Sequence, residues 1–250
     1  MQNVPPFSFK IIIPSYDLTG RWAIRCLKSI DIQKTDVPHT VCLIDDASPT
    51  SGKATEQFCR ERGWQYIRRA QRRGALAAAM LAIESLCPFD EDVIVNIDGD
   101  DWFSSHKALD RIAQEYRSGA LATYGSMLLL HDGKLFQDDT SGAPPDKDGN
   151  YRAGDWHYPQ PRTYKYKLLK RVRPEDLRNP STGEYYFVGC DVAYMTPIME
   201  MAGSRLRYIQ DAIYGYTLDN PIRVAGKGWA EQKTVREVVS KLPPYPAFEG

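Results

Sequence analysis

The sequence predicts an α/β protein built on one mostly parallel β-sheet flanked by helices. Three observations carry that prediction. Short apolar runs alternate with helical patterns over the first 130 residues, which is the order of crossover units. Three of those runs, "IIIPSYD", "CLIDDAS" and "VNIDGDD", finish in polar or acidic residues, as strands do where an open sheet meets a ligand. Beyond Leu130 periodicity weakens and Gly, Pro and Asp accumulate. That shift divides one domain into a ligand-binding half, 1–130, and a helical and loop half, 131–250.

The elements follow in order. "FKIII" is a buried strand stopped at Pro14, and "GRWAIRCLKSIDIQ" sets Trp22, Ile24, Leu27 and Ile30 at helical spacing. "HTVCLIDD" is the second strand, and "KATEQFCRERG" a helix closed by Gly63. "WQYIRR" is the third strand, followed by "GALAAAMLAIESL", an Ala-rich helix that Pro88 ends. "EDVIVNID" is the fourth strand, with a helix over 106–117 and a further strand, "ALATYGSMLLL", after it. Residues 131–162 read as a long functional loop. Helices are expected over 163–177 and 191–202, then short strands at "LRYIQ" and "AIYGYTL", then a loose Pro-rich end.

Composition narrows the function classes. With 32 basic and 32 acidic residues the net charge is zero, which gives no general attraction to nucleic acid or an anionic membrane. No run approaches the ~18 apolar residues of a membrane span, and "MQNVPPFSFK" has no signal-peptide core. The five cysteines are scattered, without CxxC spacing. They read as reduced thiols, and the expected location is cytoplasmic, with peripheral contact to a membrane left open.

The chemistry concentrates at the strand ends. "DGDD", residues 98–101, sets three carboxylates within four positions at the mouth of a buried strand. Desolvating them together is costly unless a cation pairs them. No GxGxxG follows the first strand and no GxxxxGK[ST] is present, so a dinucleotide or P-loop site is not supported. A calcium loop starting at Asp98 would need its bidentate Glu where Leu109 stands. What remains is a hard cation, Mn²⁺ or Mg²⁺, holding a diphosphate, with a solvated Asp–Gly turn as the plain alternative. Arg68, Arg69, Arg72 and Arg73 precede a helix near Gly74, an arrangement that suits phosphate, although a solvated basic turn explains at least two of them.

In this order and spacing, "KIIIPSYD…RWAIRCLKSI", "VCLIDDASPT", "RRGALAAAMLAIE" and "VNIDGDDWF" resemble a family 2 glycosyltransferase with the GT-A fold, a Rossmann-like sheet. "RTYKYKLLKRVRPEDL", "DVAYMTPIMEMAG" and "RLRYIQDAIYGYTLDNP" resemble the acceptor side of bacterial and viral members that build surface polysaccharides. The likeness spans about residues 9–222. It implies that 1–130 binds a nucleotide sugar and 131–250 the acceptor. It implies that Pro14, Ser15, Tyr16 and Asp17 form the first nucleotide loop, that Asp45 and Asp46 read the base, and that Arg72 and Gly74 approach base and diphosphate. Asp98, Asp100 and Asp101 match the DxD cluster, with Asp98 also facing the ribose or sugar and all three near the metal. Asp191 matches the general base. The family usually shows Glu-Asp there, and this chain has Cys190-Asp191.

The implied reaction is inverting transfer from a nucleoside-diphosphate sugar, a UDP-sugar foremost, to the hydroxyl of a saccharide or other acceptor, assisted by Mn²⁺ or Mg²⁺. The zero net charge disfavours a nucleic-acid acceptor, while the arginine run keeps one open. Asp191 also opens an apolar-periodic run, so a helix N-cap is its structural alternative. Trp102 and Trp156 are candidates to stack on sugar, His157 to touch acceptor or metal, and Arg162 and Lys165 to meet an anionic group; core, loop and surface roles compete for each. Lys227 and Trp229, in "AGKGWAEQK", are candidates for a lid. A sugar-phosphate nucleotidyltransferase would want a Gly-rich loop after the first strand, where "PSYDLTGRW" offers one glycine. A haloacid-dehalogenase-type phosphatase would carry its aspartate after the first strand, and a non-catalytic nucleotide-sugar-binding module would have no use for Asp191.

Overall fold

The computed structural model describes residues 6–17, 21–50, 52–137, 149–152, 156–220 and 228–250. Four strands, β1 (Phe9–Ser15), β2 (His39–Asp45), β3 (Gln65–Arg68) and β4 (Val93–Asn96), pair in parallel in the order β3-β2-β1-β4. Beyond β4 the sheet turns mixed. β8 (Arg162–Lys165) runs antiparallel to both β4 and β6 (Ala122–His131), and β6 lies parallel to β9 (Leu206–Thr217). The two-residue β5 (Trp102–Phe103) closes that edge against β9, and β7 (Lys134–Gln137) folds back on β6 as a hairpin.

Helices cover both faces, as a sheet buried on two sides requires. α1 (Arg21–Asp31), α2 (Lys53–Glu61) and α4 (Ala108–Arg117) pack on one face. α3 (Ala75–Leu86), the single-turn α5 (Tyr166–Leu169), α6 (Cys190–Ala202) and α7 (Gly228–Lys241) pack on the other. The strand period of two sorts β1 between them: Phe9, Ile11 and Ile13 enter the first core and Ile12 the second. The alanines of α3 are buried and let the helix lie close over β1 and β2.

The sequence reading differs from the structure in several places, the expected loop over 131–162 among them, since it carries β7 (Lys134–Gln137). Residues 163–177 were expected to form a helix but hold β8, α5 and a 3₁₀ turn over Pro174–Leu177. Thr163 and Tyr164 are wedged between β4 and β6, and strand pairing overrides the local helical spacing. The two short strands expected after 205 are one twelve-residue strand, β9, whose register against β6 shifts between Gly125 and Met127. The carboxyl-terminal end is docked rather than loose. Val235 and Val239 of α7 are buried, the Tyr245 hydroxyl donates to Asp176 at 2.7 Å, and the Phe248 amide donates to the Met201 carbonyl at 2.8 Å. The lid reading for Lys227 and the Trp229 side chain lies outside the described residues. All five cysteines are free, and no helix among the described residues is long and apolar enough to cross a membrane.

Candidate active site

The carboxyl ends of β1 and β4 open onto a cleft of about 1270 Å³. Single small-molecule pockets run to roughly 1,000 Å³, so this one has room for two substrates side by side. At one end lie Pro14, Ser15 and Tyr16 after β1, with Arg72 and Gly74 before α3. The Arg72 guanidinium stacks on the Tyr16 ring at 3.5 Å and faces Phe187 at 5.0 Å, so two aromatic faces hold one cation at the cleft wall. Gly74 has φ +86°, and a Cβ there would come within 3.1 Å of the Phe187 Cα. Only glycine lets α3 start so close to the 183–189 segment.

Asp46 also lines the cleft, and its carboxylate fixes the turn into α3. It accepts from the Arg73 amide at 3.0 Å and the Gly74 amide at 2.7 Å, and Arg69 lies 3.4 Å away. Asp45 points elsewhere: it accepts from Tyr66 at 2.8 Å, Arg68 at 2.7 Å and the Ser48 amide at 2.9 Å, and does not line the cleft. Its oxygens clamp the β2–α2 loop. Asp17 is outside the lining as well; its amide, at φ +50°, donates to Ser48 Oγ. Of the four arginines only Arg72 faces the cleft, because Arg68 and Arg69 serve Asp45 and Asp46 while Arg73 reaches Glu184.

The "DGDD" turn splits its carboxylates. Asp98 and Asp100 line the cleft, and Asn220 donates from Nδ2 to Asp100 Oδ2 at 2.8 Å. Asp101 is fully buried, accepting from the Tyr214 hydroxyl at 2.9 Å and the Thr217 amide at 2.8 Å. These bonds tie the turn to β9. Burial and then Asp101 and Asp98 push the Tyr214 hydroxyl pKa well up, which keeps it a donor. Trp102 is not among the residues lining the cleft. Its ring lies against Gly215, where a Cβ would come within 2.1 Å, and under the Arg25 guanidinium at 3.9 Å, so it anchors β5 rather than facing the cleft.

Asp191, in the first turn of α6, also lines the cleft. The N-cap position is Gly189, so Asp191 is not the cap. Its Oδ2 pairs with Arg162 Nη2 at 3.2 Å, and Arg162 Nε donates to the Tyr158 carbonyl at 2.7 Å. Arg162 thus meets a carboxylate of the protein itself. Trp156 lines the cleft, whereas His157 is exposed and does not. Lys165 is paired with Glu91. Cys190, beside Asp191, has its thiol pushed up to about 12 by burial and by Asp191 and Asp98, which leaves it a neutral packing group.

Several lining residues escaped the sequence reading: Asn96, Arg152, Phe187, Tyr194, Asn220 and the α7 face carrying Lys233 and Arg236. The polar Asn96 inside the apolar "VIVNI" was the one signal available. Arg152 forms a bidentate, buried pair with Glu200, at 2.6 and 2.8 Å. Glu200 also accepts from the Tyr245 amide at 3.0 Å, so the pair pins the carboxyl-terminal tail to α6. Arg152→Met leaves Glu200 buried without its cation. An unfolding free energy lower by about 3–5 kcal/mol is expected from urea denaturation. An unchanged midpoint would show the pair to be dispensable.

The arrangement fits a hard divalent cation. Asp98 and Asp100 supply carboxylate oxygens from one turn at the cleft, and Asp100 is oriented by Asn220, as a ligand is by a partner behind it.

An α/β sheet with helices on both faces and acidic residues at its strand ends, opening on one long cleft, has the architecture of the GT-A glycosyltransferases. The comparisons place it there. The sequence model described as Glycosyl transferase family 2 matches residues 10–176, and the chain belongs to that family. The S. aureus TarS 1-349 structure in complex with UDP-GlcNAc superposes with a TM-score of 0.64 at 16% identity, covering 93% of this chain and 65% of that one. The same TarS fragment in complex with UDP gives 0.62 at 15% identity over the same shares. The mannosyltransferase PcManGT from Pyrobaculum calidifontis, in complex with GDP-Man and Mn²⁺, gives 0.55 at 16%, over 94% of this chain and 70% of that one. At such identities the likeness is one of fold. The chain spans 37% to 65% of the TarS chains it matches. No curated protein sequence matches it significantly.

Proposed function

We propose that this glycosyltransferase moves a sugar from a nucleoside diphosphate, UDP foremost, to an acceptor hydroxyl with inversion. The observation that carries the proposal is that carboxylates from two separate elements line one cleft. Asp98 and Asp100 stand on the strand-end side and Asp191 on the α6 side. Pro14, Ser15, Tyr16, Arg72 and Gly74 take the nucleotide in this reading, while Asp46 positions their loop. Residues 1–130 make the donor half, and residues 131–250, with Trp156 and α7, the acceptor half. The TarS and PcManGT complexes with UDP-GlcNAc and GDP-Man support a nucleotide-sugar donor and leave its base to experiment.

Asp98 and Asp100 would hold a Mn²⁺ or Mg²⁺ ion, which when bound supplies Lewis-acid stabilisation of the departing diphosphate. The chain's own groups do the rest. Asp191 accepts the acceptor's hydroxyl proton as that oxygen bonds to the anomeric carbon from the face opposite the nucleotide. The bond from that carbon to the diphosphate oxygen breaks with its electrons going to the diphosphate, so one displacement inverts the centre. Arg162 holds the Asp191 carboxylate in a fixed orientation. The acceptor is a saccharide or another hydroxyl compound, and a lipid-linked one would be met from the membrane surface.

The test is release of nucleoside diphosphate from UDP-, GDP- and dTDP-sugars with Mn²⁺, with the anomer of the released or transferred sugar read by NMR. Consumption of an α-linked donor with a β-configured product is expected. Retention of configuration, or no consumption of any donor, overturns the proposal.

A further inference from the structure

The "DGDD" turn is gripped by two elements that lie far apart in the sequence. From β9 and the residues after it, the Tyr214 hydroxyl and the Thr217 amide hold Asp101, and the Asn220 side chain holds Asp100. The second grip comes from α1. Arg25 Nη2 donates to the Asp100 carbonyl at 2.9 Å, Cys26 Sγ lies 3.8 Å from the Asp98 carbonyl, and Ser29 Oγ accepts from the Phe103 amide at 3.0 Å. Ser29 stands three and four residues on from Cys26 and Arg25, so the three share one face of the helix. Arg25 joins the two grips. The same Nη2 also donates to Thr217 Oγ1, which in turn donates to the Asp100 carbonyl. The guanidinium is stacked on the Trp102 ring at 3.9 Å, which fixes its plane. On its other side Arg25 lines a second cavity, of about 590 Å³, together with Trp22, Leu218 and the exposed His131 and Asp132.

We infer that Arg25 is a positioning residue for the cation site: through the Asp100 carbonyl and Thr217 it fixes the backbone from which Asp98 and Asp100 reach the cleft. The inference rests on the metal reading above. Charge and position act on a bound cation in opposite directions here. A guanidinium beside the turn repels the ion, whereas a fixed backbone holds the carboxylates in place for it. The two effects therefore differ in sign when Arg25 is removed. Loss of position weakens the ion, and loss of charge alone tightens it. The second cavity adds a separate handle. With the side chain cut back to alanine, a free guanidinium ion can reach the vacated place against Trp102 from that cavity.

The test is calorimetric titration of Mn²⁺ at fixed UDP or GDP, with Tm measured beside it. Arg25→Ala is expected to weaken Mn²⁺ about tenfold. Millimolar guanidinium chloride, set against the same concentration of sodium chloride, is expected to restore most of that loss and to leave the wild type unchanged. Thr217→Val keeps the side-chain shape and the backbone amide that holds Asp101. It is expected to weaken Mn²⁺ as well, and the double substitution to cost less than the product of the two, because both act through one carbonyl. Wild-type or tighter Mn²⁺ binding by Arg25→Ala overturns the inference. So does a lowered Tm with an unchanged Mn²⁺ Kd, which is the mark of a purely structural role, and so does a loss that guanidinium leaves in place. Should Arg25→Ala fail to fold, wild-type Mn²⁺ affinity in Thr217→Val overturns it. A wild-type protein whose nucleotide binding does not respond to Mn²⁺ overturns the metal reading itself.

Discussion

Asp191→Asn is expected to lower the transfer rate by about 10²–10⁴-fold while leaving nucleotide-sugar affinity near that of the wild type. The amide keeps the size of the carboxylate and its place in the first turn of α6, but it cannot take the acceptor's proton. The substitution also strips Arg162 of its ion-pair partner, although the Tyr158 carbonyl still accepts from Arg162 Nε at 2.7 Å. Tm should therefore be measured beside kcat, so that loss of chemistry is separated from loss of fold. A folded Asp191→Asn protein with wild-type kcat would move the proton acceptor to another residue.

Asp100→Ala has the second large effect. The side chain lines the cleft beside Asn220, whose amide holds one of its oxygens at 2.8 Å. Removing it takes away a proposed metal ligand and leaves the Asn220 amide without this acceptor. The Mn²⁺-dependent part of nucleotide affinity is expected to fall by about a hundredfold or more, and turnover with it. Asn220→Ala, which removes only the support behind the ligand, is expected to cost roughly tenfold. Titrating Mn²⁺ into each protein at fixed nucleotide checks the order. Equal effects from both substitutions would mean that Asn220 touches the ion or substrate directly, and no effect from either would place the metal elsewhere.

The site was legible in the sequence where local pattern alone decides position. The apolar runs of β1 and β4 end in "PSYD" and "DGDD", and strand ends in an open sheet point at its crevice, so Tyr16, Asp98 and Asp100 could be placed before any coordinates. What the pattern could not supply is the direction of neighbouring side chains in a turn. Asp100 and Asp101 are adjacent in sequence, yet one faces the cleft and the other is buried under Tyr214 and Thr217, more than a hundred residues away. The same distance hid Asn220, and a glycine on another strand decided Trp102. β8 was misread for a related reason: "RTYKYKLL" has helical spacing, and only the vacancy between β4 and β6 makes its first four residues a strand. Asn96 and Tyr194 come together at the cleft only once the chain is folded.

Calorimetric titration of UDP and GDP into the wild-type protein and into Asp100→Ala, each with and without Mn²⁺, tests the central claim most directly. The account predicts that one nucleotide binds tightly to the wild type only when Mn²⁺ is present, and that Asp100→Ala abolishes this dependence. Binding indifferent to both the ion and Asp100, or no binding of either nucleotide, would contradict it.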